Sequence, residues 1–344
     1  MNSEICLYLT NIEKARVLWY YVFCKKNFGV SYMENFLIAF NAVLPMFIML
    51  LIGFGVRKLN IIKEEHLPTL NKIVFNVFFP FLMFNNVYGS DFSEVFNPLL
   101  LGFAVIAVLI LYFTSLGFTM AVEKSNKSRG AMIQALYRSN FVVLGMPIVA
   151  NIFGSESLTM TAVLVTVIIP MYNILAVITL EVFRGKTIKV SKILLGIAKN
   201  PLIIGSVAGI LSVVLALKLP SSVESAVSDL AGTATPLALI VLGASFKFKS
   251  VKRCRRNLII CVLARLLVIP AICLGVAAML GIRGVDFVSL IGLFGAPCAI
   301  SSYTMSRQMD SDYELSAVTV VFTSILSCFT LFFWIYLFKE LNFF

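Results

Sequence analysis

Residues 98–121 read PLLLGFAVIAVLILYFTSLGFTMA, an uninterrupted stretch without any acidic, basic or histidine side chain. About 20 such residues in a helix cross the hydrocarbon core of a bilayer. The same character extends to the whole chain, because 60% of its 344 residues are hydrophobic and only 13% are charged. Soluble domains carry roughly 25% charged residues. The sequence therefore predicts an all-α membrane protein with the lipid bilayer as its solvent.

Apolar stretches of this kind succeed one another after Met33, with short loops between them. We expect ten transmembrane helices, called spans 1 to 10, at about 36–56, 67–88, 98–121, 131–151, 157–182, 193–216, 223–246, 257–280, 286–306 and 314–338. The earlier apolar run Val17–Cys24 is too short to span. We interpret residues 1–32 as an N-terminal extension, and the sequence leaves open whether they belong to the native protein.

Positive charge is concentrated in every second loop. The odd-numbered loops carry most of the 28 Lys and Arg residues, with a cluster at 247–256, whereas the even-numbered loops carry only Lys218 and Arg283. The positive-inside rule places the odd-numbered loops in the cytoplasm, and both ends of the ten-helix core outside the cell membrane. The net charge of +11 is thus typical of a multi-pass protein, and we expect no nucleic-acid partner.

Proline and glycine positions indicate an internal repeat. Matching residues lie in corresponding spans about 150 to 156 positions apart: Pro45 and Pro201, Pro80 and Pro236, and the Gly-x-Pro triplets that end at Pro147 and Pro297. The repeat divides the chain into five-helix halves at 33–182 and 183–344. Since five is odd, the second half must be inserted upside down, which is the inverted-repeat plan of many secondary transporters.

The two Gly-x-Pro triplets predict helix breaks in spans 4 and 9. Proline lacks an N–H and clashes with the carbonyl one turn earlier, and the freed backbone groups then need partners. Such breaks can hold an anion at their N-terminal helix ends, although a plain proline kink is the simpler alternative. The candidate substrate-binding residues surround these breaks: Arg138, Asn140, Pro147, Asn151, Pro297, Ser301, Ser302 and Tyr303.

Charged residues within spans are few, and two of them are arginines. Arg138 precedes Asn140 in span 4 and is expected to balance a carboxylate, whereas Arg265 in span 8 is expected to extend its side chain to the cytoplasmic surface. No Asp or Glu lies near the middle of a span. An anionic substrate is therefore favoured, and coupling to H⁺ or Na⁺ has no visible carboxylate to support it.

The sequence contains no catalytic or metal-binding constellation. It has no HExxH and no GxxxxGK[ST] motif, and its seven cysteines form no CxxC or Cys/His cluster. We therefore expect neither an enzyme, nor a cofactor, nor a metal site.

Several local patterns together resemble the auxin efflux carrier family. They comprise Leu70-Asn71-Lys72 and Phe79-Pro80-Phe81-Leu82-Met83-Phe84 in span 2, Asn140 and Gly145-x-Pro147 in span 4, Lys199-Asn200-Pro201 in span 6, Pro236-Leu237-Ala238-Leu239 in span 7, and Ala296-Pro297 in span 9. The resemblance implies ten helices in two inverted five-helix repeats, with broken helices 4 and 9 crossing. It also implies a scaffold of helices 1, 2, 6 and 7 that can form a homodimer.

In that family the substrate carboxylate lies near the crossing, and the matching residues here are Asn140, Pro147 and Pro297. The compact loops are similar to those of bacterial carriers of malonate and other small carboxylates. Our reading is a secondary transporter that moves a small organic anion, such as malonate or malate, across the cytoplasmic membrane by alternating access. The alternatives are a sodium-dependent symporter of the bile-acid type and a membrane sensor that binds a ligand without transporting it.

Overall fold

The computed structural model describes residues 37–88, 97–154, 157–184 and 190–344. The predicted extension at 1–32 lies outside these ranges. The described residues form fourteen helices: α1 (Leu37–Lys58), α2 (Glu64–Asn85), α3 (Pro98–Val122), α4 (Asn126–Tyr137), α5 (Phe141–Phe153), α6 (Leu158–Arg184), α7 (Val190–Ala198), α8 (Pro201–Val214), α9 (Ser221–Ser245), α10 (Phe248–Arg253), α11 (Arg255–Met279), α12 (Gly284–Gly295), α13 (Ser301–Gln308) and α14 (Tyr313–Glu340).

Seven of these helices are long and apolar enough to cross a membrane, namely α1, α2, α3, α6, α9, α11 and α14. They coincide with predicted spans 1, 2, 3, 5, 7, 8 and 10. The all-helical, multi-pass character is thereby confirmed. Spans 4, 6 and 9 are each divided into two shorter helices, as α4 and α5, α7 and α8, and α12 and α13. The count of ten spans and the inverted repeat stay predictions.

Four of the basic loops, around residues 57–64, 123–129, 247–256 and 307–312, contact one another at one end of the bundle, which we call the basic end. Lys127 after α3 pairs with Asp310 after α13 at 2.7 Å, and Arg253 of α10 pairs with Asp312 at 2.7 Å. Lys247, after α9, forms an ion pair with Glu64 at the start of α2. At the other end, the Leu219 amide donates to the Tyr88 hydroxyl at 3.0 Å. The alternation of loop charge therefore corresponds to two separate ends of the molecule.

Glycines let two pairs of helices cross with their backbones in contact. On α1, a Cβ at Gly53 would collide with the Ile240 carbonyl of α9, and on α8 a Cβ at Gly209 would lie 2.9 Å from the Phe84 carbonyl of α2. The two contacts show the separation of the predicted repeat, since Gly53 and Gly209, and Phe84 and Ile240, differ by 156 positions. The separation first seen in the prolines thus recurs in the helix packing.

Candidate functional site

The first helix break lies between α4 and α5, at residues 138–140. Arg138 follows Tyr137, the last residue of α4, and its backbone is extended. Asn140 precedes Phe141, the first residue of α5. The sequence had placed this break at Pro147, which was wrong, because Pro147 lies inside α5. A proline at that point removes one intrahelical bond, to the carbonyl four residues earlier, and the helix continues through it.

Asn151 is affected by the same correction. It lies ten residues beyond the start of α5, which is about 15 Å along a helix, and its side chain is exposed. The prediction that Asn151 adjoins the break was therefore wrong. The predicted repeat gives a better position for the first break, because an offset of 156 residues relates Asn140 to Ala296, which lies in the second break.

The second break lies where the Gly-Ala-Pro triplet predicted it. Helix α12 ends at Gly295, and α13 begins at Ser301 after a non-helical segment that contains Pro297. The two breaks touch, because the Asn140 amide donates to the Pro297 carbonyl at 2.8 Å. Ser139 and Cys298 form an isolated antiparallel bridge beside this bond. Two short extended segments thus satisfy each other's backbone groups inside the helical bundle.

Helices α5 and α12 cross next to these breaks, again through glycine. A Cβ added to Gly292 of α12 would lie 2.5 Å from the Cα of Gly145 in α5. Real Cβ atoms do not approach other atoms so closely, so only glycine fits at Gly292 without a displacement of α5. The close crossing thereby determines the direction of the N-terminal end of α5.

A cleft opens beside the crossing and is partly open to solvent. The first turn of α5 and the first residue of α13 both border it, so two positively polarised helix ends face the same space. The remaining wall comes from α2, α6 and α9. The lining residues are Phe79, Leu82, Met83, Asn86, Arg138, Ser139, Asn140, Phe141, Val142, Val143, Ile169, Tyr172, Asn173, Thr235, Ala299, Ile300 and Ser301.

Arg138 provides the only charged side chain of this lining. Its side chain is 3% exposed. Nη2 donates to Asn173 Oδ1 at 2.9 Å and to Ser301 Oγ at 2.8 Å, while Nη1 donates to Gln134 Oε1 at 2.9 Å. The Nε–H has no hydrogen-bond partner among the described residues. No carboxylate of the described ranges pairs with Arg138, so its charge is held by neutral groups alone.

The structure brings only some of the predicted site residues to the cleft. Arg138, Asn140 and Ser301 line it, and Pro297 joins the breaks behind it. Ser302 and Tyr303 are buried but do not line the cleft. The Tyr303 hydroxyl instead accepts a hydrogen bond from Arg307 Nη1 at 2.8 Å, towards the basic end.

The sequence reasoning missed Asn173 and Tyr172 on α6. Asn173 holds Arg138 in place, and its Nδ2 donates to Met83 Sδ at 2.7 Å. The Tyr172 hydroxyl lies 3.3 Å from Ser139 Oγ in the first break. Both residues follow Pro170 in the middle of span 5, and a polar pair beside a mid-span proline was a usable signal.

The sequence suggests that the Arg265 side chain extends to the cytoplasmic surface, and this prediction is wrong. Its side chain is fully buried, and it donates four hydrogen bonds to backbone carbonyls around the two breaks. The expectation failed because it considered the depth of one residue along its own helix. The partner carbonyls come from α4, α12 and the segment after α12, which adjoin α11 only in the folded protein.

The fold and the site define a multi-pass α-helical membrane protein in which two broken helices cross beside a cleft containing a buried, unpaired arginine. The model of a family described as membrane transport protein matches residues 38–335. The chain therefore belongs to this family of membrane transporters, the auxin efflux carrier family.

Three relatives are similar over most of this chain. An uncharacterized transporter of Methanothermobacter thermautotrophicus is 27% identical over 304 residues, which cover 86% of this chain and 96% of the relative. An uncharacterized transporter of Methanocaldococcus jannaschii is 26% identical over 87% of this chain and 98% of its own length. The lysosomal cholesterol signaling protein of Mus musculus is 25% identical over 84% of this chain, but only 36% of that protein is matched.

Proposed function

We propose that this protein is a secondary carrier of small organic anions, which binds a carboxylate at the crossing of the broken helices and moves it across the cell membrane by alternating access. One observation carries the proposal. Arg138 presents a buried positive charge to the cleft without any carboxylate partner in the described part of the chain. An isolated buried charge is costly unless it is paired, and a bound carboxylate would supply the pairing.

The backbone around Arg138 favours the same kind of ligand. The first intrahelical bond of α5 runs from the Leu144 amide to the Asn140 carbonyl, so the amides of residues 141–143 precede it. The Asn140 side chain does not cap them. Unsatisfied amides and the positive end of the helix dipole attract an anion. Arg138 and the first turn of α5 together form a binding site for one carboxylate group.

The rest of the lining suggests the shape of the substrate. Beyond Arg138 the cleft is bounded by apolar side chains and by neutral polar groups such as Asn86 and Thr235. A dicarboxylate such as malonate or malate would place its second charge against these neutral groups. A monocarboxylate with an apolar body fits the lining better, and both classes belong in the test.

The contacts at the basic end support an alternating-access cycle. Asn71 Nδ2 on α2 donates to the Thr304 carbonyl of α13 at 3.1 Å, and Arg307 Nη1 on α13 donates to Ser245 Oγ on α9 at 3.2 Å. In the proposed cycle these bonds would close the path from the cleft to the basic end. Breaking them, while α13 moves relative to α2 and α9, would open the other side. Coupling to H⁺ or Na⁺ and a homodimer through spans 1, 2, 6 and 7 remain parts of this proposal.

A ligand sensor is the second candidate, and one relative favours it. The lysosomal cholesterol signaling protein is named for signalling, and this chain matches only 36% of it. The shared part would then bind a ligand whose occupancy is reported by other segments. A sensor and a carrier can share the same cleft, but only the carrier exchanges ligand across a membrane.

Counterflow in proteoliposomes tests the proposal. Vesicles are loaded with an unlabelled mono- or dicarboxylate, and uptake of the labelled compound is followed with Na⁺ and pH gradients varied separately. We expect exchange of at least one carboxylate, and weaker exchange in the Arg138→Gln variant. If the folded wild-type protein binds a carboxylate but never exchanges it, the sensor function replaces the carrier. If it neither binds nor exchanges any carboxylate, the anion site is refuted.

A further inference from the structure

Arg265 forms a second positive site beside the two breaks, and it lies outside the lining of the cleft. Nε donates to the Ala296 carbonyl at 2.9 Å, and Nη1 donates to the Leu136 carbonyl at 3.2 Å. Nη2 donates to the carbonyls of Leu293 and Phe294 at 3.1 and 3.2 Å. We call these four carbonyl oxygens the carbonyl cradle. Arg265 does not line the cleft.

The carbonyl cradle combines the negative ends of two helices. Leu136 lies in the last turn of α4, and Leu293 and Phe294 lie in the last turn of α12. Each helix C-terminus carries about half an elementary negative charge. Unwound carbonyls and helix C-termini at such crossings are the groups that coordinate Na⁺ in other membrane carriers. Here the guanidinium of Arg265 takes that place.

The local structure of α11 holds Arg265 in this position. Residues 264–268 form a π-helical turn, which widens the helix at Arg265. Pro270 follows, and without an N–H it cannot bond to the Leu266 carbonyl four residues earlier. The indole Nε1 of Trp334 on α14 donates to this carbonyl at 3.0 Å instead. Helices α11 and α14 thus both contribute to presenting one guanidinium, which is more than a side chain that merely fills space requires.

We propose that Arg265 is a built-in cation that occupies the carbonyl cradle in place of a bound metal ion and holds the two helix breaks together. It acts as a positioning residue, because the breaks that it holds also carry the cleft. Leu136 lies two residues before Arg138, and Ala296 precedes Pro297, whose carbonyl accepts the Asn140 amide. The link to transport rests on the proposed function, whereas the occupation of the cradle does not.

Removal of the guanidinium should create a binding site for a small cation. Arg265→Ala leaves four carbonyls without a donor and also leaves room, whereas Arg265→Met leaves them without a donor but fills the space of the side-chain stem. Arg255→Ala is the matched control, since Arg255 lies at the exposed start of the same helix. The purified proteins are unfolded by heat in detergent with about 10 mM guanidinium chloride, NaCl or choline chloride, far below denaturing concentrations.

We expect Arg265→Ala and Arg265→Met to unfold several degrees below the wild type. Guanidinium or Na⁺, compared with choline, should raise the unfolding midpoint of Arg265→Ala only, because only this variant has both the donorless carbonyls and the space. A wild-type midpoint for Arg265→Met, or a folded Arg265→Ala without any cation-specific shift, would overturn the proposal.

A third variant of Arg265 covers the case in which Arg265→Ala does not fold. In Arg265→Lys a single ammonium cannot reach all four carbonyls, so its midpoint should lie below that of the wild type, and an unchanged midpoint would count against the built-in cation. None of these measurements depends on transport. A failure of carboxylate counterflow in the wild type would therefore refute the proposed function while leaving the role of Arg265 to be decided separately.

Discussion

Two buried arginines contact the segments around the helix breaks, and their hydrogen-bond partners differ in kind. Arg265 donates to four backbone carbonyls at helix C-termini, where the helix dipoles balance its charge. Arg138 donates to neutral side chains, retains an unpartnered Nε–H and borders the cleft. The same residue type thus serves two purposes. One guanidinium is fully committed to the fold, and the other borders the cleft in which we propose that a carboxylate binds.

The proposed contact between Arg138 and a carboxylate leads to a prediction about affinity. Arg138→Gln retains a hydrogen-bonding side chain but removes the charge. A hydrogen bond to a charged group contributes about 1.5–3 kcal/mol, so the apparent affinity for a transported carboxylate should fall about 10- to 100-fold. The change is measured as KM in the counterflow assay, with the exposed Arg255→Gln as the control. Equal KM values for the two variants would show that Arg138 does not contact the carboxylate.

At the scale of helices, the position of the first break depends on tertiary structure. Pro147 and Gly145 have the local sequence signature of a break, yet α5 runs through both residues. The chain is extended at Arg138, and the backbone groups of Ser139 and Asn140 find partners in the second break. Local propensity could not identify Asn140 as the last residue before α5, because the stabilising partner, Pro297, is more than 150 residues away.

The corrected position of the break changes what is expected of Pro147. Replacing it with alanine restores the N–H that can bond to the Val143 carbonyl, but it leaves residues 138–140 and their bonds to the second break intact. We therefore expect Pro147→Ala to be at least as stable as the wild type, and to keep its affinity for the carboxylate. Thermal unfolding and counterflow measure the two properties. A loss of affinity as large as that of Arg138→Gln would contradict this assignment of the break.

The crossing of α5 and α12 requires glycine at position 292, so substitution there should be destabilising, in contrast to substitution of Pro147. An added methyl group would lie 2.5 Å from the Cα of Gly145, so the two helices must separate. Overpacking of this kind costs about 1–3 kcal/mol. Gly292→Ala should therefore unfold several degrees below the wild type. Gly275→Ala on α11 is the matched control, because a Cβ there meets nothing within 4 Å. Equal unfolding midpoints for the two variants would refute the close crossing.

At the scale of the whole molecule, the features that depend on the bilayer were readable from the sequence. The seven long helices match predicted spans because an apolar run of sufficient length crosses the membrane whatever its neighbours are. The cleft was only partly predictable. Arg138, Asn140 and Ser301 stood out as polar residues beside the breaks, whereas Asn173 belongs to the cleft through a neighbouring helix. Arg265 was misplaced for the same reason, since its four partners lie on other segments.

The loop charges predict the orientation of the molecule. Lys218 and Lys249 are exposed and lie in loops of opposite predicted location. In a background without the native cysteines, a membrane-impermeant maleimide should label Lys218→Cys in intact cells, and Lys249→Cys only after the cells are opened. The reverse pattern would mean that the basic end faces outwards, against the positive-inside rule.

The same labels can determine which end of the carrier is open. The cleft includes Asn86, two residues before Tyr88, whose hydroxyl contacts the Leu219 amide at the end opposite the basic end. On the basic side, Asn71 donates to the Thr304 carbonyl and Arg307 donates to Ser245, and in the proposed cycle these bonds would close the path. Asn86→Cys should therefore be labelled from the same side as Lys218→Cys.

A bound substrate should slow that reaction, because it occupies the cleft next to the new thiol, while labelling of Lys218→Cys should be unaffected. Labelling of Asn86→Cys from the basic side alone would show that the cleft opens towards the basic end, which contradicts the prediction. Labelling from the expected side without any protection by a carboxylate that undergoes counterflow would show that this carboxylate does not bind in the cleft, and it would refute the anion site at Arg138.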